Sequence, residues 1–265
     1  MNIKINASFR DVAEAIRNFD LPAYLAYSDI RQRYRRSSLG PFWITLSTAI
    51  MIATIGLVFG GVFKTSSQTF LPFLTIGLIT WSFFSNLLNE SANGFISAEA
   101  VIKQLPLPLF THILRLATRN CIIFFHNIVL FPIVCLLVHK EINFWALLFF
   151  PNFILLFLNL LWASLCISII CTRFRDLAQI IASLLQVAFY VTPIIWMPSL
   201  LPEKTSKMLI EPNPLYHLIE IIRSPLMGTP PSFLSYVYSL GLCIFGWLIT
   251  LIIFNKYKNR IAYWL

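Results

Sequence analysis

Long apolar runs separated by short polar stretches set the pattern of this chain. Six runs cover residues 42–63, 70–88, 120–138, 144–171, 177–197 and 233–254. Each is close to the ~20 residues a helix needs to cross a ~30 Å hydrocarbon core. The weaker alternating signature of a membrane barrel is absent. The pattern predicts an all-α polytopic membrane protein with six transmembrane helices. Residues 1–41 form a polar N-terminal region, and residues 42–265 form a single six-span domain.

The polar segments carry patterns of their own. In residues 21–36, Leu21, Tyr24, Leu25 and Tyr27 precede the cluster Arg31, Arg33, Arg35 and Arg36. This order predicts an amphipathic helix in the headgroup plane, or a basic flank that sets orientation. Gly40-Pro41 then breaks the chain before the first span. Residues 90–119 form a polar connection of 30 residues between the second and third spans, on the same side of the membrane as residues 1–41. Within it the stretch 95–105 predicts a short helix that stops before Pro106. The brief loop 172–176 holds Arg173, Arg175 and Asp176, either as an anchor or as a salt-bridge node between two spans. Residues 198–232 hold 7 of the 15 prolines between apolar pieces too short to cross the membrane. Such pieces predict outer re-entrant or interfacial half-helices. Glu220 and Arg223 are one helical turn apart and can pair.

Composition agrees with the pattern. The chain is 58% hydrophobic and 12% charged, against about 25% charged residues in soluble domains. The net charge is +9. In a soluble protein that excess suggests nucleic acid. Here 15 of the 20 Lys and Arg residues fall on one side of the predicted spans. The positive-inside rule makes that side cytoplasmic, with both termini there. No nucleic-acid partner is expected. Residues 1–20 contain no apolar run, so the expectation is that the first span directs insertion.

The candidate chemistry is sparse. There is no phosphate-binding Gly-x-x-x-x-Gly-Lys-Ser/Thr motif, no His-Glu-x-x-His and no Gly-x-Ser-x-Gly. The five cysteines and four histidines are scattered, which suggests neither a metal site nor a disulfide framework. Ionisable residues avoid the span centres, so no ion relay is evident. A transporter built this way is passive or is driven by a second polypeptide. Aromatic residues make up 15% of the chain. Among them Phe59, Trp81, Phe84 and Tyr190 are either packing residues or candidates for an aromatic-lined path for sugar.

Four segments taken together carry a family resemblance: 28–43 (SDIRQRYRRSSLGPFW), 171–180 (CTRFRDLAQI), 192–196 (TPIIW) and 211–223 (EPNPLYHLIEIIR). In order and spacing they resemble the Wzm-type membrane permease of type-2 ATP-binding-cassette polysaccharide exporters. The resemblance implies a permease for lipid-linked polysaccharide in a bacterial inner membrane, with O-antigen, capsular polysaccharide or teichoic acid as cargo. It implies a homodimer with two copies of a cytoplasmic ATPase, which binds the ATP and Mg, and no cofactor on this chain. The segment 21–36 becomes a gate helix; on it Arg31, Arg33, Arg35 and Arg36, with Tyr24 and Tyr34, are placed to attract a lipid diphosphate, since arginine forks suit phosphate oxygens. Phe95, Ile96, Glu99, Ile102 and Lys103 become an ATPase-coupling helix, joined by Arg173, Arg175 and Asp176. Asn213, Pro214, Tyr216, Glu220 and Arg223 become an outer gate. Two other readings are a cassette exporter of small hydrophobic compounds and an integral-membrane transferase acting on lipid-linked sugars.

Overall fold

The computed structural model describes residues 6–35, 40, 42–63 and 65–265. Arg36, Pro41 and Lys64 lie outside them, as does the side chain of Tyr34. Among the described residues there is no strand. The helices run in chain order as α1 (Asn6–Arg17), α2 (Asp20–Tyr34), α3 (Phe42–Phe63), α4 (Ser67–Ala92), α5 (Glu99–Gln104), α6 (Phe110–Ile128) and α7 (Leu130–Leu137), then α8 (Phe149–Arg173), α9 (Leu177–Val191), α10 (Glu203–Ile210), α11 (Pro214–Met227) and α12 (Phe233–Trp264).

Five helical stretches are long and apolar enough to cross a membrane: α3, α4, α6 with α7, α8 with the turn before it, and α12. The predicted span 177–197 differs. Its helix α9 has 15 residues, about 22 Å at 1.5 Å per residue. It ends at Val191 because Pro193 follows, and the residue before a proline is pushed out of the helical region. The spans 70–88 and 120–138 are longer than predicted, because their polar flanks continue the same helices.

α4 is the centre of the bundle. Most of its length is buried, and it packs on α3, α6, α8, α9 and α11. Phe83 of α4, Phe124 of α6, and Phe149 and Phe153 of α8 form an aromatic cluster with centroids 4.9–6.3 Å apart. Several polar side chains in the spans bond to backbone carbonyls, which satisfies them where water is absent. Within single helices, Thr75 Oγ1 donates to the Leu71 carbonyl and Ser91 Oγ to that of Leu87. Between helices, Ser168 Oγ donates to the Ser91 carbonyl at 2.6 Å, and Asn159 Nδ2 to that of Ser239 at 3.0 Å. α8 and α12 approach closely: a Cβ at Gly246 would come within 2.2 Å of the Trp162 ring.

The turn after α7 is closed by His139 at φ 56°. The Lys140 amide donates back to the Cys135 carbonyl at 2.9 Å, as in a Schellman cap. α3, α9 and α12 leave apolar side chains exposed along much of their length, including Leu57, Leu184 and Phe245.

Candidate functional site: the two ends of the bundle

One end of the bundle is charged. α1 lies across it with Ser8, Asp11, Val12 and Ala15 turned inward. The buried Asp11 carboxylate accepts from the Leu109 and Phe110 amides at 3.2 and 3.0 Å, so it caps α6. It also pairs with Lys258 of α12 at 2.7 Å. The two ends of the chain therefore meet on the same side of the bundle.

α2 packs on α6 through Pro22, Ala26 and Ile30. Asp29 on the same side holds Arg115 of α6 in a two-point contact, with Nε at 2.8 Å and Nη2 at 2.5 Å. It also accepts from Arg119 Nη1 at 2.8 Å. Arg119 continues to Glu90 of α4 at 2.8 Å, and Asn120 Nδ2 reaches the same Glu90 oxygen at 2.5 Å. This chain of charge joins α2, α6 and α4 beside a cavity of about 470 Å³ lined by Glu90, Asn93, Ser97, His112, Arg115 and Arg119. Burial raises the Asp29 pKa, but hydrogen bonds and charge from Arg115 and Arg119 outweigh it and hold the carboxyl below its ordinary value.

The predicted two-faced pattern of residues 21–36 takes a different form. Apolar residues lie on both sides of α2, with Tyr24 and Tyr27 exposed opposite the buried stripe. The clearer two-faced helix is α1. Arg31, Arg33 and Arg35 are exposed and form no ion pair among the described residues.

The coupling-segment residues lie at the same end. Phe95 is buried and fixes the turn after α4. Gly94 is needed there, since a Cβ would meet Ser168 Oγ at 2.8 Å. Ile96 opens a 3₁₀ turn, and Glu99, Ile102 and Lys103 follow on α5, which ends at Gln104, before Pro106. Glu99 and Lys103 pair at 2.6 Å. That bond and charge, joined by the charge of Arg175, lower the Glu99 pKa. Arg173 lies instead against an aromatic ring, its guanidinium 5.4 Å from the Trp264 ring centroid. Of the two readings of loop 172–176, the salt-bridge node does not form: Arg173, Arg175 and Asp176 make no ion pair among the described residues. The node lies instead at Asp29, Arg115, Arg119 and Glu90.

The other end is rich in proline. Asn213 caps α11, its Oδ1 accepting from the Leu215 and Tyr216 amides, and its Nδ2 donates to Thr192 Oγ1 at 3.1 Å. Pro214 occupies the first helical turn, where a missing N–H costs nothing. α11 closes at Gly228, φ 101°, whose carbonyl accepts from Asn143 at 2.8 Å. Arg223 is fully buried. Its Nη1 donates to the Pro193 carbonyl at 2.9 Å, and its guanidinium lies 3.9 Å from the Phe73 ring centroid. Glu220 lies 4.0 Å away and accepts from Ser224 at 2.5 Å. Tyr216 is half-buried. Of the two helices here only α11 is deeply buried; α10 is largely exposed.

Two of the four aromatics considered for a sugar path belong to the interior of the single chain. Trp81 and Phe84 are buried and stack at 5.6 Å, because α4 is enclosed by its neighbours. Phe59 is half-buried and Tyr190 is exposed. Sequence reading missed Asp11, Asp29 and Lys258. The signal for Asp29 was a lone acid within an arginine-rich stretch.

Among the described residues no group of three or more His, Cys, Asp and Glu side chains could hold a metal ion. Membrane-crossing helices, a charged network at one end of the bundle and a proline-rich segment with a buried arginine at the other describe a multi-pass membrane protein. Residues 23–227 match the family described as ABC-2 type transporter, and the chain belongs to it. Two proteins of Klebsiella pneumoniae, each named O-antigen export system permease protein RfbA, are 28% and 26% identical to it, each match covering 92% of this chain and 94% of the relative. A protein of Myxococcus xanthus with that name is 23% identical, over 74% of this chain and 75% of its own. Membership implies an ATPase partner.

Proposed function

We propose that this chain is the inner-membrane permease of an ATP-driven exporter of lipid-linked polysaccharide, with O-antigen linked to undecaprenyl diphosphate as the cargo. The working unit is a homodimer carrying two cytoplasmic cassette ATPases, which bind ATP and Mg. The charged end faces the cytoplasm, a reading supported by the excess of Lys and Arg on that side.

The observation that carries this reading is the placement of α5. It projects from the end of the central helix α4, beside the Asp29–Arg115–Arg119–Glu90 chain that holds α2. Force applied to α5 by a partner thus reaches both the bundle core and the helix bearing Tyr24, Arg31, Arg33 and Arg35. ATP binding closes the partner dimer and shifts α5, and α4 and α2 follow as a coupled two-state change. The free arginines of α2 suit the oxygens of a diphosphate. At the opposite end, α11 with Asn213, Glu220 and Arg223 closes the exit until α4 moves.

Deletion and complementation test the function. Loss of the gene should remove surface polysaccharide and accumulate lipid-linked glycan inside, and the intact gene should reverse both. Unchanged surface polysaccharide would reject the proposal. Replacing Arg31, Arg33, Arg35 and Arg36 together by Gln should lower export at least tenfold with normal membrane insertion. Intact export in that variant would remove these residues from the substrate path.

A further inference from the structure

α8 and α12 separate at the charged end and leave a groove of about 600 Å³. Its floor is apolar, from Ile169 and Ile170 on α8 and Ile252 and Ile253 on α12. Its rim holds two cations, Arg173 and Lys256, with Tyr257 and Trp264. Neither cation has an ion-pair partner among the described residues. Each lies near aromatic rings instead: Arg173 Cζ is 5.2 Å from the Phe174 centroid and 5.4 Å from that of Trp264, and Lys256 Nζ is 5.3 Å from that of Tyr257. Rings hold the cations in place without neutralising them. The groove sits where two membrane-crossing helices reach the interface, the level at which Trp and Tyr meet headgroups.

We infer that this groove binds one anionic glycerophospholipid, with its phosphate between Arg173 and Lys256 and an acyl chain along the four isoleucines. Charge complementarity selects the occupant: an apolar floor takes a hydrocarbon chain, and two unneutralised cations at its mouth take a phosphate with no compensating ammonium. Basic pockets between membrane helices bind anionic headgroups in this way. The lipid bridges the ends of α8 and α12, beside the Lys258 that anchors α1 through Asp11. Arg173 is thereby assigned to lipid rather than to the ATPase. The inference requires only that the chain crosses a membrane, so failure of the exporter reading would leave it standing.

The test uses the full chain, purified in mild detergent and incubated with phosphatidylglycerol, phosphatidylcholine or undecaprenyl diphosphate. Retained lipid is counted by native mass spectrometry, and the thermal midpoint is followed in parallel. Phosphatidylglycerol should be retained about tenfold over phosphatidylcholine and should raise the midpoint. Arg173→Gln with Lys256→Gln should abolish that preference, and Arg173→Lys with Lys256→Arg should keep most of it. Ile170→Trp fills the groove and should lose the lipid although both cations remain. Removing Lys204 and Lys207 of exposed α10 as a charge control should change nothing. Equal retention by wild type and the Gln pair, equal retention of the two phospholipids, or displacement of phosphatidylglycerol by equimolar undecaprenyl diphosphate would each overturn the inference. So would loss of a copurifying ATPase from the Gln pair with lipid retention unchanged.

Discussion

Arg223 occupies a space that exists only because residue 77 is glycine. A Cβ there would meet Arg223 Nη2 at 2.7 Å and the Ile194 carbonyl at 3.1 Å. Gly77→Ala should therefore cost about 1–3 kcal/mol, the range for overpacking, and lower the thermal midpoint by several degrees. Gly241→Ala is the control. Its Cβ would meet open space, so it should leave the midpoint unchanged or raise it slightly. Equal shifts in both variants would refute the close-packing account. Asp29 makes a second prediction. Its carboxyl ionises below the ordinary 3.8 when folded. The stability it contributes is thus complete above the unfolded value and is lost as pH falls through the lower folded value. Hydrogen exchange in α2 should be insensitive to pH-dependent release between pH 7 and 5, after correction for intrinsic rates, and should accelerate below about 4. In Asp29→Asn the protection should be weak at every pH.

At the scale of elements, α1 is attached through one carboxylate that serves both α6 and α12. Asp11→Asn keeps an acceptor for one of the two amides, but turns the oxygen shared by the Leu109 amide and Lys258 into a donor and removes the charge. The expected cost is about 1–3 kcal/mol, from a hydrogen-bonded charge left unpaired. Proteolysis within residues 6–17 should quicken while the membrane spans stay protected. Unchanged cleavage would show that α1 is held by its apolar contacts instead. The helices themselves were largely legible. α3 runs over the predicted 42–63 without change, because a continuous apolar run of that length has one stable form in lipid. α5 stops as Pro106 requires. α9 was over-read: residues 192–197 are as apolar as the helix before them, and composition does not reveal that Pro193 ends the hydrogen bonding. The partners of Asp11 and Asp29 were illegible for a different reason. They lie 86 or more positions away, and local periodicity carries no information about contacts made only when helices pack.

At the scale of the molecule, the arrangement fixes one strong expectation about sidedness. In a variant lacking its native cysteines, Ile142→Cys should react with an impermeant maleimide on intact spheroplasts. Ser97→Cys should react only after the membrane is opened, since both side chains are exposed but lie at opposite ends of the bundle. The reverse result would invert the assigned topology. The exposed apolar faces of α3, α9 and α12 must be covered by lipid or by other helices, because side chains such as Leu57 and Phe245 are left uncovered by the chain itself. One helix touches both functional ends. Gly77 and Glu90 lie on α4 about 20 Å apart along its axis. One contacts the buried arginine of the proline-rich end, and the other anchors the charged network. A rod gripped near one end and again near its middle can act as a lever: a slight tilt imposed near Glu90 would swing the backbone beneath Arg223, with no intermediate element needed to relay the message.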